Sequence, residues 1–140
     1  MKIVAAVDGS DHSTRALEFA AKLAASFRAE LVIVTVSQRM VDEELRRFGR
    51  IESATIGDIL EQEAAALLLA AKTRAEALGA ARISTAAEEG DPAAALLEHT
   101  RGTDALVIGR RGRGRLAGLL LGSVSQKLAA LSPVPVTIVP

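Results

Sequence analysis

Ile3-Val4-Ala5-Ala6-Val7-Asp8-Gly9-Ser10 places five consecutive apolar residues ahead of a turn. No polar residue alternates within the run, so both faces of this extended segment are predicted to be buried, as in the interior of a parallel sheet. Leu31 to Val36 and Ala105-Leu106-Val107-Ile108 are runs of the same kind. Between the first two, Ala16, Leu17, Ala20, Leu23, Ala24 and Phe27 recur at three- and four-residue spacing, which predicts a helix from about Ser13 to Phe27 with one stripe turned to a core.

Working outward, residues 37–57 show no steady period and read as a long connection with a partial helix. Leu60, Ala64, Leu67, Leu68, Ala71, Ala75 and Leu78 then mark a long amphipathic helix stopped by Gly79, a left-handed cap position. Arg82 to Glu88 reads as a more polar strand. Asp91-Pro92 starts a helix that runs to about Thr100, because Asp accepts from unpaired amides and Pro fixes φ where no intrahelical N–H bond is needed. A Gly- and Arg-rich loop from Gly109 to Gly122 leads into a helix from Ser123 to about Leu131, and Val134 to Val139 forms the last strand.

Strands alternating with helices predict an α/β fold, an open five-stranded parallel sheet with helices on both faces. The uniformly apolar first, second and fourth strands belong inside. The polar third strand and the Pro135-containing fifth belong at the edges. The order 3-2-1-4-5 meets both conditions, and it opens a crevice at the carboxyl ends of strands 1 and 4, from which Asp8 and the Gly109 loop emerge.

The 140 residues predict a single domain over 1–140. Apolar residues at 49% and charged residues at 24% are globular usage. Lys plus Arg number 17 and Asp plus Glu 17, so no global field draws the chain to nucleic acid or to an anionic membrane. There is no cysteine, and the apolar run after Lys2 is too brief for a signal-peptide core or a membrane span. A soluble cytoplasmic protein is expected.

Chemistry concentrates after Ile108. Glycine lets backbone amides approach an anion, and a helix start adds partial positive charge and unpaired N–H groups, so phosphate is a natural guest of Gly109 to Ser123. Ser123 with Gln126 also forms a capping-box pattern, which uses the same amides and needs no ligand. Arg110, Arg111, Arg113 and Arg115 suit either counter-charge for a triphosphate or a solvated loop; an RNA-binding Arg-Gly box is disfavoured because no aromatic residue lies near for stacking. His12 and His99 make no metal set, and Ser10 and Ser13 lack a relay, so no catalytic residue is assigned. The turn after strand 1 carries no Gly-x-Gly-x-x-Gly, which argues against a dinucleotide enzyme. Asp8 offers an acceptor, and the apolar strand ends offer a dry wall.

The spacing Gly109, two residues, Gly112, nine residues, Gly122-Ser123 resembles the nucleotide-binding signature of the universal stress protein family. Ile3 to Ser10, Gly90-Asp91-Pro92, Asp104 to Gly109 and Gly122 through Val134 extend the resemblance over nearly the whole chain. It implies a Rossmann-like fold of the adenine nucleotide alpha hydrolase type, a homodimer, and binding of ATP, with or without Mg2+. Gly109, Gly112, Gly122 and Ser123 would hold ribose and phosphates, and Val124 would supply a further amide. Asp8 would lie on the nucleoside side, and Val36 with Ile108 would line the base pocket. The implied role is regulatory; a slow ATPase or phosphotransferase and a nucleotide-free interaction module are the alternatives.

Overall fold

Lys2–Ala6 (β1) pairs in parallel with Glu30–Ser37 (β2) on one side and Ala105–Gly109 (β4) on the other, placing Val4 between Val32 and Leu106 at the centre of the sheet. Arg82–Glu89 (β3) extends the sheet from β2, and Val136–Val139 (β5) extends it from β4. The order is β3-β2-β1-β4-β5 with every pairing parallel, as the strand polarity predicts. The computed structural model describes residues 1–37, 53–111 and 121–140.

The helices Asp11–Phe27 (α1) and Ser53–Ala77 (α2) cover one face, burying Leu17, Ala20, Leu68 and Ala75 with Ile3, Leu31, Ile33 and Val107. Pro92–Thr100 (α3) and Ser123–Leu131 (α4) cover the other, where Leu96 and Leu128 join Val4, Val32, Val34, Leu106 and Ile108. Successive strand residues thus feed opposite cores, which explains the uninterrupted apolar runs of β1, β2 and β4.

The ends differ from the sequence pattern where side chains cap the backbone. Helix α1 begins at Asp11 instead of Ser13, because Ser10 is the N-cap and its Oγ accepts from the Ser13 amide at 3.2 Å. Phe27, assigned to the core stripe, is 60% exposed: it ends the helix, beyond the last buried turn at Ala24. Helix α2 reaches back to Ser53, well before Leu60, while residues 38–52 of the predicted connection lie outside the described residues. Its other end follows expectation. Gly79 has φ of 100°, its amide donates to Glu76 O at 3.0 Å, and the Ala80 amide donates to Ala75 O at 3.1 Å.

Asp91 caps α3 as predicted, its Oδ2 accepting from the Ala94 amide at 2.9 Å. Strand β5 starts at Val136 rather than Val134, because Ser132 Oγ both donates to Val134 O and accepts from its amide, holding that residue in a turn. Pro135 sits just outside the edge strand and still contributes its carbonyl to the Leu106 amide at 2.9 Å.

Candidate functional site

Parallel strands deliver their carboxyl ends to one side of the sheet, and there a cleft of about 620 Å³ opens between the four helices. Asp8, Val36, Ile108, Gly109, Gly122, Ser123 and Val124 all line it, although they come from strands, turns and a helix start spread over most of the chain. Gly112 lies outside the described residues.

The turn after β1 is fixed from within. Asp8 Oδ1 accepts from the Ser10 amide at 2.9 Å, and Gly9 takes φ of 84°, which glycine adopts without a Cβ penalty. Ser13 Oγ accepts from the Asp8 amide at 3.2 Å and donates to Ser10 O at 3.1 Å. One oxygen of Asp8 is therefore committed to the turn, and its other has no partner among the described residues.

The start of α4 corrects the capping reading. Gly122 is the N-cap and Ser123 the first helical residue; no side chain caps the helix, and Gln126 Nε2 donates to Leu121 O at 2.7 Å instead of returning to the cap. Gly122 has φ of −62°, an ordinary extended conformation, so no left-handed geometry requires glycine there. Its amide donates to Arg110 O at 3.0 Å, and the Arg110 amide donates to Val139 O at 2.7 Å. This chain of bonds docks the helix start on the sheet. The amides of Ser123, Val124 and Ser125 have no acceptor among the described residues, and they are the donors a helix leaves unpaired at its first turn.

Gly109 has a structural reason of its own. A Cβ built there would lie 2.7 Å from the His12 carbonyl carbon and 2.9 Å from its oxygen, so the last residue of β4 is glycine to let α1 approach the sheet. The Gly109 carbonyl accepts from Ser125 Oγ at 2.9 Å.

Several residues of the cleft were not singled out from sequence. Ser13 and Thr35 are buried polar residues on its wall, and Leu60, Glu63 and Leu67 bring α2 to it. Thr35 carried a signal, as the one polar residue inside Leu31–Val36. The α2 residues read as ordinary core, since periodicity does not reveal which part of the core stripe also borders a cleft. Arg111 lines the cleft, whereas Arg113 and Arg115 lie outside the described residues. His12 is a first-turn residue of α1 whose Nδ1 lies 3.3 Å from Arg15 Nη2, and His99 Nε2 lies 2.8 Å from Glu88 Oε1.

The universal stress protein family model matches residues 1–140. The chain belongs to the universal stress protein family. A universal stress protein of Bacillus subtilis, YxiE, is 35% identical over 145 residues, covering 99% of this chain and 97% of that protein. The crystal structure of a universal stress protein in complex with cAMP superposes with a TM-score of 0.74 at 33% identity, covering 99% of this chain and 95% of the other. A universal stress protein from Archaeoglobus fulgidus gives a TM-score of 0.76 at 25% identity, covering 100% and 98%. Within this universal stress protein fold, no helix among the described residues is long and apolar enough to cross a membrane.

Proposed function

We propose that the cleft binds an adenine nucleotide, ATP foremost, and that occupancy regulates what the protein contacts. The observation that carries this reading is the juxtaposition of three chemistries on one cleft. The unpaired amides of Ser123, Val124 and Ser125 suit phosphate, the apolar ends at Val36 and Ile108 suit a base, and the Asp8 carboxylate on the same cleft suits ribose hydroxyls or an exocyclic amine. Because the Gly122 amide is taken by Arg110, phosphate donation falls to the amides from Ser123 onward, and Gly122 serves by shaping the turn. Gly109 lets α1 approach the end of β4, and the family resemblance assigns Gly112 to ribose and phosphate. Arg111 adds positive charge on the same wall.

Mg2+ brought by the triphosphate would find the Ser123 hydroxyl, an oxygen ligand at the start of α4 on the same cleft. The relative crystallised with cAMP at 33% identity supports an adenine nucleotide as the ligand class. The edge of β5, a short strand that among the described residues pairs with β4 alone, is the surface we assign to a homodimer in the cytoplasm.

The test is to identify the nucleotide released when freshly purified protein is heat-denatured, then to titrate stripped protein with ATP, AMP and cAMP by calorimetry. Saturable binding led by ATP is expected. Binding of none of the three would reject the nucleotide reading in favour of a ligand-free interaction module.

A further inference from the structure

Leu31, Ile33 and Thr35 face the α1/α2 side of the sheet, while Val32, Val34 and Val36 face the α3/α4 side. The cleft therefore straddles the carboxyl edge of β2. The residues assigned above to base and phosphate, Val36, Ile108, Ser123 and Val124, belong to the α3/α4 half. On the other half, Leu60, Ala64 and Leu67 recur at helical spacing along one stripe of α2, opposite Thr35. None of these has a role in the nucleotide reading.

Thr35 is the informative residue. It is 6% exposed, it lines the cleft, and its hydroxyl has no hydrogen-bond partner among the described residues. The other buried hydroxyls of the wall are engaged, Ser13 with the turn after β1 and Ser125 with the Gly109 carbonyl. The hydroxyl is not sealed in the core, and the little surface that Thr35 keeps opens to the cleft, where valine would fill the same space but offer no hydrogen bond. The exposed carboxylate of Glu63 and that of Asp8 border the same opening and disfavour an anion there.

We infer that the α2-side half of the cleft is a second binding subsite, for an uncharged and mostly apolar small group that presents one hydrogen-bonding atom to Thr35. Leu60, Ala64 and Leu67 supply its apolar wall, and the Thr35 hydroxyl fixes its orientation. Its test is read on the α2 side and does not depend on ATP.

Benzyl alcohol, toluene and benzoate serve as probes on the full chain, followed through the methyl resonances of Leu60 and Leu67. Benzyl alcohol is expected to give saturable shifts, and benzoate weaker ones. In Thr35→Val, a conservative change within a strand, the ratio of benzyl alcohol to toluene affinity should fall roughly three- to tenfold, the worth of one hydrogen bond. An ATP titration of the same variant reads the nucleotide site separately. The absence of saturable shifts, an unchanged ratio in Thr35→Val, or benzoate binding as tightly as benzyl alcohol would each overturn the assignment.

Discussion

Ser125 Oγ donates to the carbonyl oxygen of Gly109 at 2.9 Å, joining the first turn of α4 to the last residue of β4. The bond spans the Gly- and Arg-rich loop, and Ser125 is only 4% exposed. It holds the unpaired amides of the helix over the carboxyl end of the sheet. Ser125→Ala should therefore cost about 1 kcal/mol of stability, the net worth of one such bond. ATP affinity should fall several-fold as well, because the donors lose their fixed position. Urea unfolding and calorimetry measure the two effects, and an unchanged affinity would detach α4 from the site.

Gly109 and Gly122 should respond in opposite ways. Gly109→Ala puts a methyl group 2.7 Å from the backbone of His12, where α1 must move, so a loss of about 1–3 kcal/mol is expected. Gly122 has free φ and no backbone contact closer than 3.5 Å around an added Cβ. Gly122→Asp should cap α4 and raise stability by a few tenths of a kcal/mol. The same carboxylate would occupy the amides meant for phosphate and add negative charge, so ATP binding should be lost in a protein that melts no lower. Tight ATP binding by Gly122→Asp would exclude the α4 amides as the phosphate site.

Arg28 ends α1 with φ of 53° and is the one non-glycine residue of positive φ among those described. Its amide and that of Ala29 reach back to Ala25 and Ala24, the arrangement that glycine makes at the end of α2. Arg28→Gly removes the left-handed cost of about 1 kcal/mol or more, and part of that gain is offset by the greater freedom of glycine in the unfolded chain. A net stabilisation of about 0.5 kcal/mol is expected in thermal melts. The contact from the Arg82 guanidinium survives, since it is to the Arg28 carbonyl.

ATP should be bound and hardly hydrolysed by the isolated protein. Hydrolysis needs an oriented water and a group that stabilises charge in the transition state beyond the ground state. The Asp8 carboxylate is anchored to the Ser10 amide and assigned to the nucleoside side, and positive charge from Arg111 grips both states alike. Phosphate release from magnesium-ATP should match that of Gly122→Asp. Multiple turnovers per second lost in that variant would make the protein an ATPase.

The sequence by itself determined the sheet and its order, because burial on both faces leaves no polar alternation in β1, β2 and β4, while polar β3 and Pro135 tolerate only edges. It also determined the cap at Asp91, the stop at Gly79 and the Gly109-to-Ser123 signature, since each is a local pattern of residue types. Tertiary structure alone decided which glycine does what. The closeness of His12 to Gly109 and the bond from the Gly122 amide to Arg110 join residues far apart in the chain, and no spacing rule encodes them. It likewise decided that Gly122 rather than Ser123 caps α4, because the carbonyl of Arg110 holds the turn one residue earlier than the serine pattern implies. The α2 wall of the cleft was illegible for a related reason. Leu60, Ala64 and Leu67 obey the same periodicity as Leu68, Ala71 and Ala75, and only the packed structure shows which of them also border a cleft.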